Sequence, residues 1–235
     1  MTGTVINVMA VLAGTFAGVI VGKRFSEKTQ QAVLSVLGLF TVGLGIKMFM
    51  ATQNAIIVLL SILLGLLIGE ALHIEDAMER LGENLQRLAA RNGSGGDKKK
   101  FIEGFVVASL MFCIGPIAVL GSIQDGLAGD IQTLVIKSIM DGFAAFAFSS
   151  TLGIGVAFAA LPVFIYQGLI TLLAASINQY FTESMINELT ATGGILLLSL
   201  AFSTLLAIKK LRTGNLLPAL VLAPLLVIVF KLFGL

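Results

Sequence analysis

Charge is what this chain has least of. Only 12% of its 235 residues are Asp, Glu, Lys or Arg, 57% are hydrophobic, and the mean hydropathy is +1.01. A water-soluble domain of this length does not tolerate that balance, so the chain reads as a polytopic membrane protein. Cysteine is nearly absent too. Cys113 is the single one and lies inside an apolar segment, so an intramolecular disulfide is excluded and the side chain reads as a small buried group. The single histidine, His73, follows Glu70 at the end of an apolar run, which leaves no histidine at membrane depth and no histidine–cysteine metal set. The chain contains neither a Gly-x-Ser-x-Gly turn nor a nucleotide-binding loop, which argues against an intramembrane hydrolase and against ATP-driven pumping by this chain alone. No enzyme activity, no cofactor and no nucleic-acid partner is expected; whether a metal binds is left open. A basic leader is missing as well, and the run 5–21 ends at Lys23-Arg24, the pattern of a retained first span.

What the chain does have is a series of apolar runs near the ~20 residues that cross hydrocarbon. Eight are expected: 4–22, 31–50, 55–72, 101–122, 131–151, 154–177, 187–208 and 216–233. The fourth and fifth contain breakers and are expected to be broken or re-entrant. With this count, Lys23, Arg24 and Lys28, then Arg80, Arg87, Arg91 and Lys98 to Lys100, then Lys209, Lys210 and Arg212 fall on one side. That gathers twelve of the 15 basic residues, so the side is cytoplasmic and both termini lie outside. Between the third and fourth runs, Ile74, Met78, Leu81, Leu85 and Leu88 form one apolar stripe on an otherwise polar helix. It suits a helix lying on the membrane, or one docking a partner or second protomer. Asn92 to Gly96 makes a flexible tether before the lysine cluster, which suits anionic headgroups.

A distant repeat divides the chain. Phe25-Ser-Glu-Lys-Thr precedes the second run and Phe181-Thr-Glu-Ser-Met the seventh; continuing both aligns Gly38 with Gly194 and, after a gap, Ile46-Lys47 with Ile208-Lys209 and Asn54 with Asn215. An odd offset of five spans inverts the second copy relative to the first, an architecture of secondary transporters with midplane sites. The expected layout is 1–72 as a first three-helix repeat, 73–100 as a cytoplasmic amphipathic helix and linker, 101–152 as a central pair of broken helices, and 153–235 as a second, inverted repeat. Gly14, Gly18 and Gly22, and likewise Gly65 and Gly69, form ridges at steps of four. These allow backbones to approach closely, within one chain or across a homodimer.

The central pair carries the chemistry. Gly115-Pro116 interrupts an apolar run, because proline removes a donor and disfavours helix before it. Gly121-Ser-Ile-Gln-Asp-Gly126 follows, and then Lys137-Ser138 and Asp141. Lys137 and Asp141 share a helix face and neutralise each other, either as a coupling pair or as a structural pair at the membrane edge. Ser138, Asp141, Ala145 and Ser149 continue that face as a narrow stripe. Carbonyls freed by the break together with an Asp suit Na⁺ or H⁺; half-helix N-termini with Ser122 and Gln124 suit an anionic or zwitterionic ligand. Asp125 and Asp130 read as caps at a water-exposed turn unless Asp125 joins the site. Asn7 and Gln167 either complete a ligand shell or bridge helices.

The blocks Phe112-Cys-Ile-Gly-Pro116, Gly121 to Asp130, Lys137-Ser-Ile-Met-Asp-Gly142, Thr151-Leu-Gly-Ile-Gly-Val156 and Tyr166-Gln-Gly168, with Asn7 and Gly14, carry a resemblance. The chain resembles the bacterial inner-membrane family called domain of unknown function 554, along its whole length. The resemblance implies placement in the inner membrane and leaves activity open. The residues themselves point to a secondary transporter of a small polar solute or monovalent cation, embedded in the lipid bilayer. Asp141 would be the coupling carboxylate with Lys137 as partner; Ser138, Ser122, Gln124, Asp125, Gly115, Pro116, Asn7 and Gln167 would form the shell. A channel with the same cavity, or a scaffold or sensor acting through the cytoplasmic helix, are the rival classes.

Overall fold

The computed structural model describes residues 1–91, 97–178 and 182–232; the tether at 92–96, Phe181 of the repeat and the end of the last run lie outside them. The chain is all helix in these residues. Its order is α1 (Thr2–Gly22), α2 (Glu27–Phe49), α3 (Ala55–Leu72), α4 (Ile74–Arg91), α5 (Lys98–Cys113), α6 (Pro116–Ala128), α7 (Gln132–Leu152), α8 (Ala160–Asn178), α9 (Glu183–Leu200) and α10 (Pro218–Leu232). A 3-10 stretch, Gly153–Ala159, joins α7 to α8, and another, Thr213–Leu216, leads into α10.

Six helical runs are long and apolar enough to cross a membrane, and α5 with α6 makes a seventh, bent by 61°. The expected fourth run is this bent pair, and it is longer than the sequence suggests; the expected fifth is not broken, since α7 runs through Gly142 without interruption. α6 continues through Gly121 and Gly126 to Ala128. Glycine costs a helix only about 1 kcal/mol, which packing against neighbours offsets. One run, Gln132–Ser176, is 45 residues long, about twice a span. It runs along α1 and returns: Gly3 meets Leu134, Gly22 meets Ser150, and Gly168 meets Met1.

Compactness divides the chain into two units: Met1–Leu37, Glu79–Cys113 and Ile117–Gln179 form the first, and Gly38–Met78, Ile114–Pro116 and Tyr180–Leu235 the second. In the first unit α1 is the centre. Thr4, Asn7, Val11, Thr15, Gly18 and Gly22 recur at steps of three and four, and all are buried. The expected glycine ridge is the contact with α7, since Gly14, Gly18 and Gly22 lie against the carbonyls of Gly142, Phe146 and Ser150. Apolar side chains alone give helices little reason to associate in lipid, and this close backbone approach supplies the attraction. At one end α4 lies on α5, with Gly82 against Phe105 and Ala89 buried, while Leu81 and Leu88 of the stripe stay exposed. Lys98, at the start of α5, bridges to Glu83 at 3.0 Å; that hydrogen bond and charge hold the Glu83 carboxyl below its ordinary range.

The second unit is held by two turns of the form Thr-x-Asn, each clamped by a glutamate. Glu188 of α9 is buried. It accepts from Thr52 Oγ1 at 2.7 Å, Gln53 N at 2.7 Å and Asn54 N at 2.9 Å. Glu75, in the first turn of α4, accepts from Gly214 N at 3.0 Å, while its own N–H donates to Asn215 Oδ1 at 2.8 Å. Between these ends, Gly45 and Gly194 bring α2 and α9 together, and Gly65 and Gly69 seat α3 on Ala219 and Asn215.

Gly18→Ala places a methyl on the Phe146 carbonyl, so α1 and α7 must part. Overpacking of this kind costs about 1–3 kcal/mol, read as a lower melting temperature in detergent. An unchanged melting temperature would show that the ridge is not a tight contact.

Candidate functional site

The buried face of α1 brings four polar side chains together inside the first unit. Lys137 and Asp141 sit one turn apart on α7, and Lys137 Nζ donates to Asp141 Oδ2. Asn7 Nδ2 donates to the same oxygen at 3.0 Å and to Gln167 Oε1 of α8 at 3.2 Å. Exposure is 6% for Lys137, 8% for Asp141 and 0% for Asn7 and Gln167, so the ion pair is enclosed by protein. An ionised pair in a low-dielectric interior survives only with close geometry and added hydrogen bonds, which the Asn7 amide provides. Asn7 spends both amide hydrogens on acceptors, which fixes its orientation and, through it, that of Gln167.

Fixing those amides leaves donors and acceptors unused. Asn7 Oδ1, Gln167 Nε2, Ser122 Oγ and Thr4 Oγ1 are buried and have no partner among the described residues. Thr4 lies one turn from Asn7 on the same face of α1. Ser122 reaches the same neighbourhood by register: Gly126 lies against the Thr171 carbonyl, so one turn earlier on each helix sets Ser122 beside Gln167. An unsatisfied buried polar group costs about 1–3 kcal/mol, and four of them in one neighbourhood of a membrane interior call for a ligand or ordered water.

The remaining expected site residues are distributed around this cluster. Ser138 is buried but donates to Leu134 O on its own helix. Gln124 is exposed and accepts from Thr133 Oγ1, away from the cluster. Asp125 does not cap a water-exposed turn: it is buried within α6, accepts from Gly3 N at 3.1 Å and lies 2.9 Å from the Met1 amine. It ties α6 to the start of α1. Gly115 marks the break with φ of +144°, a conformation that favours glycine, and Pro116 begins α6. Cys113, at the end of α5, lies within electrostatic reach of Lys137 and Asp141. Among the described residues, no group of three or more His, Cys, Asp or Glu side chains is arranged to hold a metal ion.

A cavity of about 210 Å³ lies at the opposite end of the α1–α7 seam from Asp125. Lys23, Gln30, Asp97, Lys100, Ser149 and Gly153 are among its lining residues. Ser149 belongs to the polar stripe of α7. Eight residues separate it from Asp141, roughly 12 Å along the helix. No sequence pattern pointed to this cavity, because it is assembled from five separate elements.

Comparison with known proteins bears on placement. The family described as "Protein of unknown function (DUF554)" matches residues 2–228. The chain belongs to the DUF554 family. It is 33% identical over 239 residues to a Bacillus subtilis (strain 168) protein described as "Uncharacterized membrane protein YdfK", covering 100% of this chain and 99% of that one. It is also 33% identical over 221 residues to the Escherichia coli (strain K12) "Uncharacterized protein YqgA", covering 94% of each. No solved structure matches it significantly. As a DUF554 protein, the chain is a multi-pass protein of the bacterial inner membrane.

Removing one member of the pair leaves an unpaired buried charge, so Lys137→Met costs about 3–5 kcal/mol. The double variant Lys137→Met with Asp141→Leu recovers most of that stability. A double-mutant cycle from thermal melts in detergent checks it; additive losses would contradict a buried ion pair.

Proposed function

We propose that this DUF554 protein is a secondary transporter of a small polar solute or ion, coupled through Asp141. One observation carries the reading: an ion pair buried in a membrane protein and clamped by an amide from a second helix. Ionisable groups at such depth are costly and mark transport paths or relays. Lys137 and Asn7 hold the carboxylate in place, and the break between α5 and α6 gives backbone polar groups a role in solvating a passing ligand.

An inverted repeat supports the same function. The repeat sets Gly38 opposite Gly194 in sequence, and both glycines sit in close helix contacts: Gly38 meets Leu205 and Leu206, and Gly194 meets Gly45 and Phe49. The same relation pairs the turn at Thr52 to Asn54 with that at Thr213 to Asn215, each glutamate-clamped. Counting Gln132–Ser176 as two crossings and the bent pair as one gives eight. Both termini are then outside, with the basic loops in the cytoplasm.

The test is a pH-reporting dye inside proteoliposomes, read while gradients of alkali cations and small anions are applied in turn. Wild-type protein is expected to couple one of these gradients to proton movement, and Asp141→Asn to lose that coupling. Equal coupling in the variant would remove Asp141 from the mechanism.

A further inference from the structure

The unused groups around the pair differ in chemistry, and that difference selects a substrate charge. Gln167 Nε2 is a donor only, and Ser122 Oγ and Thr4 Oγ1 each have a hydroxyl to donate; Asn7 Oδ1 alone is restricted to accepting. At the cytoplasmic end of the seam, two lysines, Lys23 and Lys100, stand against one carboxylate, Asp97, in the cavity lining. A bare cation would meet an ammonium already seated on Asp141 and would leave Gln167 Nε2 unused.

Resting on the transport reading above, the geometry points to a small anion as the substrate, carried together with one proton. Protonation of Asp141 is the switch. In the state described, Lys137 is neutralised by Asp141. When the carboxylate takes a proton from water, it becomes a neutral acid, and the Lys137 ammonium, which keeps all its protons, is left without a counter-charge. An anion then takes that place, held by Lys137 Nζ, Gln167 Nε2 and Ser122 Oγ. Asn7 Oδ1, unused before, becomes the acceptor for the new carboxyl O–H. Charge balances throughout: one proton and one monovalent anion enter together, and the buried cluster stays neutral. Release of the proton restores the Lys137–Asp141 pair and expels the anion.

Equilibrium binding tests this without vesicles, so it separates from the flux experiment. Purified full-length protein is titrated with potassium salts of chloride, nitrate, formate and glycolate, and with chloride salts of lithium, sodium and rubidium, using thermal shift and calorimetry at several pH values. One of the anions is expected to bind, with affinity rising up to about tenfold for each pH unit lowered, the slope of one linked proton. Asp141→Asn, a permanent mimic of the neutral acid, is expected to bind that anion with no pH dependence; Lys137→Gln is expected to lose at least tenfold in affinity. Gln167→Leu, which keeps the pair, separates loss of a donor from loss of folding and is expected to weaken binding while the protein melts cooperatively. Binding of an alkali cation competing with protons, binding of no anion tried, or pH-dependent anion binding that persists in Asp141→Asn would each overturn the proposal. Anion binding without coupled flux in proteoliposomes would retain this site and overturn the transport reading instead.

Discussion

A charged pair inside a membrane protein governs the rest of this molecule. Lys137 and Asp141 can stay ionised only while shielded from lipid and held close, and the surrounding helices meet that requirement. α1 approaches α7 along a glycine ridge with no side chains between, which sets Asn7 within reach of the carboxylate. α8 returns along α1 and supplies Gln167, which orients Asn7. α6, tied to the start of α1 through Asp125, fixes where the broken helix begins again. The ridge, the hairpin return and the break are one construction around one carboxylate.

The two units solve different problems. In the first, a buried ion pair gathers amides from two further helices, and several polar atoms are left unused. In the second, glutamates bind turns: Glu188 accepts from the turn before α3, and Glu75 from the turn before α10. Hydrogen bonds to ionised acceptors are worth about 1.5–3 kcal/mol.

Much of the site was legible in the sequence because it follows helical spacing. Lys137 and Asp141 are four residues apart, the ridge recurs every fourth residue, and Gly115-Pro116 announces the break. Asn7 and Gln167 stood out as amides in apolar runs, though the bond between them joins positions 160 residues apart and no pattern predicts it. The run of breakers from Gly121 to Gly126 misled, since it reads as a turn but folds as helix. Tertiary packing overrode local propensity there, which buried Asp125 and turned Gln124 outward. Glu188 was missed because it sits among ordinary helix residues; only the turn it clamps, far away in the chain, gives it meaning. The cavity near Lys23 and Lys100 was invisible for the same reason.

The proposed transport turns on Asp141 changing its protonation state. Infrared difference spectroscopy on protein carrying isotope-labelled aspartate reads that change at the carboxyl group itself. The account predicts a protonated-carboxyl band that grows as pH falls in the presence of ligand, shifts with the label and is missing from Asp141→Asn. A carboxylate signal that stays constant with pH and ligand, or a band that persists in the variant, would contradict it.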